Sequence, residues 1–127
     1  MAERYNSPAF AIYEQVSRRA NDLYKEAEVM VGENNALFKE RLESCARLEE
    51  EAFLLSGEAG VGSIIKCTHA RYAIQNYFRC GQFGDVVGFG KEAVSLLKDP
   101  AYQKTVDQIN LYVNAARDQI STSQPLY

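Results

Sequence analysis

The sequence contains no tryptophan, one histidine, three prolines and three cysteines in 127 residues. Its apolar runs are only a few residues long, whereas a helix needs about 20 apolar residues to cross a bilayer. The N-terminal residues lack the basic start and apolar centre of a secretory signal. Cys45, Cys67 and Cys80 are odd in number and fall in predicted helices, which indicates free thiols in a reducing compartment. We therefore expect a cytoplasmic chain without a membrane span.

The charge balance and the single histidine limit the chemistry available to the chain. The net charge of −3 argues against nucleic acid as the main partner, because binding to phosphates requires a basic face. Cys67 and His69 fall on different faces of a predicted helix, so they do not form the closely spaced ligand pair typical of zinc sites. We predict no metal, no cofactor and no catalytic residue. A cysteine–histidine dyad that uses His69 stays open as an alternative, since such partners meet in space and not in sequence.

Two further motifs receive structural interpretations. The segment "AFLLSGEAGVGSIIK" has the glycine spacing of a phosphate-binding P-loop, with Gly57 and Gly62. A P-loop then needs a lysine and a hydroxyl residue, and Ser63 and Ile64 stand at those places, so we predict an interhelical loop. The run Glu49-Glu50-Glu51 is predicted to form a solvated helix face.

Helical periodicity accounts for nearly the whole sequence. Ser7 is the predicted N-cap of the first helix, with Pro8 at its first position, and Asn35 is the candidate cap of the second. No segment alternates in the manner of a β-strand. The fold class is therefore all-α, an antiparallel helical bundle of about five helices in one domain over 1–120, with a flexible tail at 121–127. The predicted helices span about 8–31, 36–56, 61–80, 83–98 and 101–120.

Two helices carry specific packing expectations. The third helix is apolar on almost every side, which is typical of a central, buried helix. The first helix has one apolar stripe, which we expect to face the core. The residues of that stripe are Ile12, Val16, Ala20, Leu23, Ala27 and Met30.

The fourth predicted helix contains three glycines, Gly84, Gly88 and Gly90. Each costs about 1 kcal/mol relative to alanine in a helix interior. Glycines at that cost indicate that another backbone approaches closely. Gly84 and Gly88 are one turn apart, and we predict that they form a helix-packing interface, either inside the chain or with a partner.

The stretch "NYFRCGQFGDVVGFGKEAVSLLKDP" has an aromatic residue in one helix, a glycine turn followed by an aromatic residue, an alanine late in the next helix and a closing proline. These residues are Tyr77, Gly81, Phe83, Ala93 and Pro100. Through them the segment at about 68–100 resembles a tetratricopeptide repeat, a helix–turn–helix unit of about 34 residues, and about a quarter of the chain matches. The sequence departs from the family pattern at Ala70, where the family has tryptophan, and at Val86 and Gly90, which replace an alanine and an aromatic residue.

The resemblance implies TPR-like helical hairpins with a groove that receives a peptide or helix. In that groove Arg71 and Arg79 are expected to hold acidic groups or a C-terminal carboxylate, while Phe78 offers an apolar contact. The competing interpretation places both arginines on the solvated surface and Phe78 in the core. The groove positions that the resemblance implies are Thr68, Arg71, Gln75, Phe78 and Arg79.

These expectations lead to two functional hypotheses. The first is a non-catalytic protein–protein interaction module, such as an adaptor, chaperone or assembly factor. The second is a structural subunit that forms a homo-oligomer or completes a larger complex through helix-face packing. The abundance of tyrosine, eight residues, favours an interface in either case, because tyrosine provides contact area at little rotamer cost.

Overall fold

A computed structural model describes residues 7–123 and confirms the all-α prediction. This part of the chain contains five α-helices and one 3₁₀ turn at Pro100–Tyr102, and no strand. Its helices are α1 (Pro8–Val29), α2 (Asn35–Leu55), α3 (Ser63–Arg79), α4 (Phe83–Leu96) and α5 (Gln103–Ser123).

The helix ends follow local sequence signals. The Ser7 hydroxyl accepts a hydrogen bond from the Phe10 amide at 3.0 Å, as expected of an N-cap. The second cap is Asn34, whose side chain accepts from the Leu37 amide at 3.0 Å, so the prediction of Asn35 was wrong by one residue. Gly81 adopts a φ of +82° at the α3–α4 turn, a conformation that favours glycine. Helix α5 continues to Ser123, and residues 124–127 of the predicted tail lie outside the described part.

The helices are arranged in two layers. Each helix packs against its neighbours in sequence, and α3 also packs against α5. Contacts between Tyr13 and His69 join α1 to α3, while the rings of Phe53 and Phe89, 5.6 Å apart, join α2 to α4. Helices α1, α3 and α5 therefore form one layer, and α2 and α4 form the other.

The largest core cluster lies between α2, α3, α4 and α5. Helix α3 supplies the most residues to it, which agrees with the expectation of a central helix. The apolar surface of α3 is not all buried, because Ile64, Ile65 and Tyr72 are exposed. The α3 residues in the cluster are Cys67, Ala70, Ala73, Ile74 and Tyr77.

The stripe expected on α1 is only partly correct. Ala20, Leu23 and Ala27 are buried, but Ile12 is half exposed and Tyr13 is buried in its place. The physical reason is a polar contact across the layer. The Tyr13 hydroxyl reaches the His69 ring on α3, and this contact turns the start of α1 so that Ile12 faces outward.

The three glycines of α4 have different surroundings. A Cβ atom on Gly90 would overlap the side chain of Val113 on α5, so α4 and α5 approach closely at this position. Gly84 and Gly88 are exposed, and no atom lies within 4 Å of where their Cβ atoms would stand. Close packing inside the chain therefore depends on Gly90, and a partner-facing role for Gly84 and Gly88 stays a prediction.

Over residues 7–123, no helix combines the length and the apolar character needed to span a membrane.

Candidate functional site

The residues predicted for the groove are distributed over several sides of α3, although Gln75 and Arg79 together line one concave site. Arg71 and Gln75 lie along the side of α3 that faces α5, where they line a cleft with Gln108 and Leu111. The Thr68 hydroxyl donates to the Ile64 carbonyl of its own helix at 2.8 Å. Thr68 thus has a local partner, whereas Arg71 and Gln75 border a concave surface.

Phe78 and Arg79 lie on opposite sides of the end of α3. The Phe78 ring packs edge-on against Phe83 and Tyr112, with centroid distances of 5.2 Å and 5.5 Å. Arg79 turns towards α1 and α2, where it pairs with Glu28 at 3.2 Å and lies over the ring of Phe38. Phe78 therefore packs at the edge of the core, and the charge of Arg79 already has a partner.

Two concave sites share the face formed by α1, α3 and α5. The first, here called the α1–α3 cavity, has a volume of about 190 Å³, and its lining includes Tyr24, Glu49, Tyr72 and Gln75. The second, the α3–α5 cleft, has a volume of about 150 Å³ and also includes Gln75. Gln75 lines both of them, so the two sites lie side by side along α3.

A third and wider cleft lies where α3 and α5 begin, and we call it the N-terminal cleft. Its volume is about 560 Å³, and Ile64, Arg71, Tyr102 and Lys104 are among the residues that line it. Arg71 lines both this cleft and the α3–α5 cleft. Arg71 and Lys104 are the charged residues lining these two clefts, and no carboxylate lines either of them within residues 7–123.

A buried polar network joins α1, α2 and α3 beside the α1–α3 cavity. It consists of Tyr13, His69 and Glu49, whose exposed fractions are 7%, 6% and 6%. The Tyr13 oxygen lies 2.6 Å from His69 Nε2, and His69 Nδ1 lies 2.9 Å from Glu49 Oε2. Both ring nitrogens are thus occupied, and no cysteine pairs with His69 to form the dyad left open above.

The hydrogen bonds of the buried polar network have a consistent direction. Burial raises the pKa of the Tyr13 phenol, a hydroxyl bond from Ser17 lowers it, and the charge of Glu49 raises it again. A carboxylate accepts hydrogen bonds, so His69 donates from Nδ1 to Glu49. In the tautomer assigned from this network, His69 Nε2 then accepts from the Tyr13 hydroxyl. Every donor points towards the Glu49 carboxylate.

The thiols have the properties of core residues. Cys45 donates to the Ala20 carbonyl at 3.2 Å, and burial, reinforced by the charge of Glu49, raises the pKa of Cys45 to about 12. Burial also raises the pKa of Cys80. A high pKa makes the thiolate scarce and the residue unreactive. Among the described residues, no group of three His, Cys, Asp or Glu side chains is placed to hold a metal ion.

The sequence interpretation of the Glu49-Glu50-Glu51 run was wrong for Glu49, which is buried against His69. Glu50 accepts a hydrogen bond from the Tyr77 hydroxyl at 2.9 Å, so only Glu51 is fully solvated. A signal was present in the periodicity, because Glu49 falls on the buried face of α2 at helical spacing from Cys45 and Ala52. A carboxylate on an apolar stripe needs a buried partner, and the single histidine was the available one.

No family model, curated protein or solved structure shows a significant match to this chain.

Proposed function

We propose that this chain is a non-catalytic protein–protein interaction module that binds an acidic peptide or helix along the face formed by α1, α3 and α5. The observation that carries this proposal is that the α1–α3 cavity and the α3–α5 cleft adjoin at Gln75. Three of the groove positions that the sequence resemblance implies, Arg71, Gln75 and Arg79, line these two sites. The three buried free cysteines agree with a reducing compartment such as the cytoplasm.

The same face presents apolar side chains to solvent. Leu111 beside the α3–α5 cleft is 70% exposed, and Tyr72 beside the α1–α3 cavity is 49% exposed. Large exposed side chains beside concave sites are typical of surfaces that bind other proteins, where an aromatic or aliphatic residue anchors the contact. The face therefore offers both apolar contact and concave shape to a partner.

The charges favour an acidic partner. The chain carries a net charge of −3, yet Arg71 and Lys104 line the α3–α5 and N-terminal clefts without a carboxylate lining either cleft. No salt bridge links Arg71 or Lys104 to another described residue, unlike Arg79, which pairs with Glu28. Arginine binds carboxylates through paired, charge-assisted hydrogen bonds. We therefore expect the acidic side chains of the partner to bind Arg71 and Lys104.

The test is a selection of binding peptides from a random displayed library against the purified chain. We expect the selected peptides to be enriched in aspartate, glutamate and large apolar residues. Their affinity for an Arg71→Glu variant should be at least about tenfold weaker, since a hydrogen bond to a charged group contributes about 1.5–3 kcal/mol.

The matched control is Arg117→Glu, which makes the same charge change at an exposed α5 position that lines none of the three concave sites. Peptides should bind this variant as they bind the original chain. Equal binding to both variants, or a selection without acidic enrichment, would refute the proposed face.

A second function is favoured by the open surface at Gly84 and Gly88 on α4. In this alternative the chain is a structural subunit, and a helix of a second copy or another subunit packs against these glycines. Light scattering after size-exclusion chromatography over a range of concentrations tests self-assembly. An oligomer that dissociates in a Gly88→Glu variant supports the alternative, and a monomer at every concentration excludes the homo-oligomer.

A further inference from the structure

The α1–α3 cavity has a polar floor with unused hydrogen-bond acceptors. Glu49 accepts from His69 through Oε2, whereas its other oxygen, Oε1, has no hydrogen-bond donor among the described residues. Asn76 is only 4% exposed, and its carboxamide nitrogen donates to Cys45 Sγ at 3.5 Å, a weak acceptor. The Asn76 oxygen has no donor within residues 7–123. Both residues line the cavity.

The buried polar network gives Glu49 one side-chain partner. Glu49 accepts from His69 Nδ1, and no lysine or arginine among the described residues forms a salt bridge with it. Arg79 is the cation that lines the cavity, and it already pairs with Glu28 at 3.2 Å. A buried carboxylate is costly unless its oxygens are hydrogen-bonded and its charge is paired, so the cavity favours a ligand that brings a positive charge and N–H donors.

The side walls of the cavity also suit a positively charged ligand. Tyr24 and Tyr72 line the cavity and are 39% and 49% exposed, which places them between the floor and solvent. Tyrosine rings attract ammonium groups through the negative charge on their faces. The volume of about 190 Å³ is small, which suits a short alkyl chain better than a drug-sized ligand.

From these observations we propose that the α1–α3 cavity binds an alkylammonium group, with Glu49 Oε1 and Asn76 Oδ1 as its hydrogen-bond acceptors. The shared chemistry is a primary ammonium on an unbranched alkyl chain, supplied either by a free amine or by a lysine side chain of a polypeptide. The cavity is also part of the face proposed for the acidic partner, but this proposal rests on Glu49 and Asn76. The acidic groups of that partner are assigned to Arg71 and Lys104, which lie outside the cavity.

The experiment is a titration of the full chain with n-butylammonium, followed by NMR shifts of the Asn76 and Gln75 side-chain amides. The matched neutral probe is 1-butanol. We expect saturable shifts with n-butylammonium and binding at least tenfold weaker with 1-butanol. Equal binding of the two probes, or no saturable shift with either, would overturn the proposal.

A pair of variants distinguishes the loss of the binding site from a general effect of mutation on the protein. Glu49→Gln keeps an oxygen for the His69 N–H but removes the charge, and it should weaken n-butylammonium binding at least tenfold. Glu50→Gln, the control, changes the neighbouring carboxylate, which does not line the cavity, and should leave binding unchanged. Circular dichroism verifies the helicity of each variant. Should Glu49→Gln fail to fold, Asn76→Ala replaces it, with an expected loss of severalfold.

A further pair of measurements identifies the source of the ammonium and keeps this test separate from the proposed function. A lysine within a short blocked peptide that binds more tightly than n-butylammonium indicates a polypeptide ligand, and the reverse order indicates a free amine. Arg71→Glu should leave n-butylammonium binding unchanged even though it weakens acidic peptides. Binding of n-butylammonium that survives Glu49→Gln in a folded protein refutes the assignment of Glu49.

Discussion

Substitution of Gly90 by alanine should destabilise the protein, although alanine is the better helix former. The added Cβ would overlap Val113 Cγ2, while Ile109 and Ile74 side-chain atoms stand at 3.5 Å and 3.6 Å, ordinary contact distances. Valine is stiff at χ1, so the methyl group cannot swing aside freely and α4 must move away from α5. Overpacking of this kind costs about 1–3 kcal/mol, of which helix propensity recovers about 0.8–1 kcal/mol. We therefore expect a net loss of up to about 2 kcal/mol.

The same helix provides the matched controls. A Cβ atom on Gly84 or Gly88 meets nothing within 4 Å, so alanine there should only remove the conformational cost of glycine. Gly88 lies inside α4, and its replacement should stabilise the protein by about 0.5–1 kcal/mol. Gly84 lies in the first turn of α4, where fewer helical hydrogen bonds depend on it, and its replacement should stabilise less.

The assay is urea unfolding followed by far-ultraviolet circular dichroism, with the free energy of unfolding extrapolated to water. Thermal midpoints should move in the same order, by about 3–5 °C for each kcal/mol in a domain of this size. A Gly90→Ala variant as stable as Gly88→Ala would refute the close approach of α4 and α5. A destabilised Gly88→Ala monomer would show that this surface is covered by something within the chain.

Two further predictions concern the buried groups. Tyr13→Phe leaves His69 Nε2 without a partner in the core and should lower the free energy of unfolding by about 1–3 kcal/mol. The control Tyr24→Phe, at an exposed position, should lower it by about 0.5 kcal/mol or less. Equal effects of the two substitutions in urea unfolding would contradict the buried polar network. Stability should also fall at alkaline pH, because burial raises the pKa of Cys45 to about 12 and also raises the pKa of Tyr77. The unfolded chain releases these protons first, so the stabilising contribution is present below about pH 9 and is lost towards pH 12, by about 1.4 kcal/mol per pH unit for Cys45. Unfolding measured across this range should show a shallower fall in Cys45→Ala, and an unchanged slope would count against the assignment.

The fold class was predictable because most of the helical stripes are regular. The caps and breakers marked the five helices to within a few residues, as at Ser7 and Gly81. The phase of α1 was not predictable from hydrophobicity alone, because Ile12 is the more apolar residue and Tyr13 is the buried one. The Tyr13 hydroxyl forms a buried hydrogen bond with His69. An isoleucine side chain cannot form such a bond, so the tyrosine takes the buried position.

The candidate sites were only partly predictable. The resemblance to a repeat led to Arg71 and Gln75, which line the α3–α5 cleft. It gave no indication of Lys104, because this residue reaches the N-terminal cleft only through the packing of α5 beside α3. Glu49 was missed because its neighbours in sequence are acidic, although its neighbours at helical spacing are apolar. Such sites depend on which residues of different helices lie close together, and a single sequence does not state the distances between helices.

The buried polar network also fixes how α1 lies along the rest of the molecule. The small buried residues Ala20 and Ala27 offer little steric resistance to a slip of α1 by one turn. Such a slip displaces the Tyr13 hydroxyl by about 5.4 Å along the helix axis, and both His69 Nε2 and the Tyr13 oxygen would lose their hydrogen bond. Directional bonds are satisfied in one alignment only. The network thus holds the first helix in a single register against the rest of the molecule.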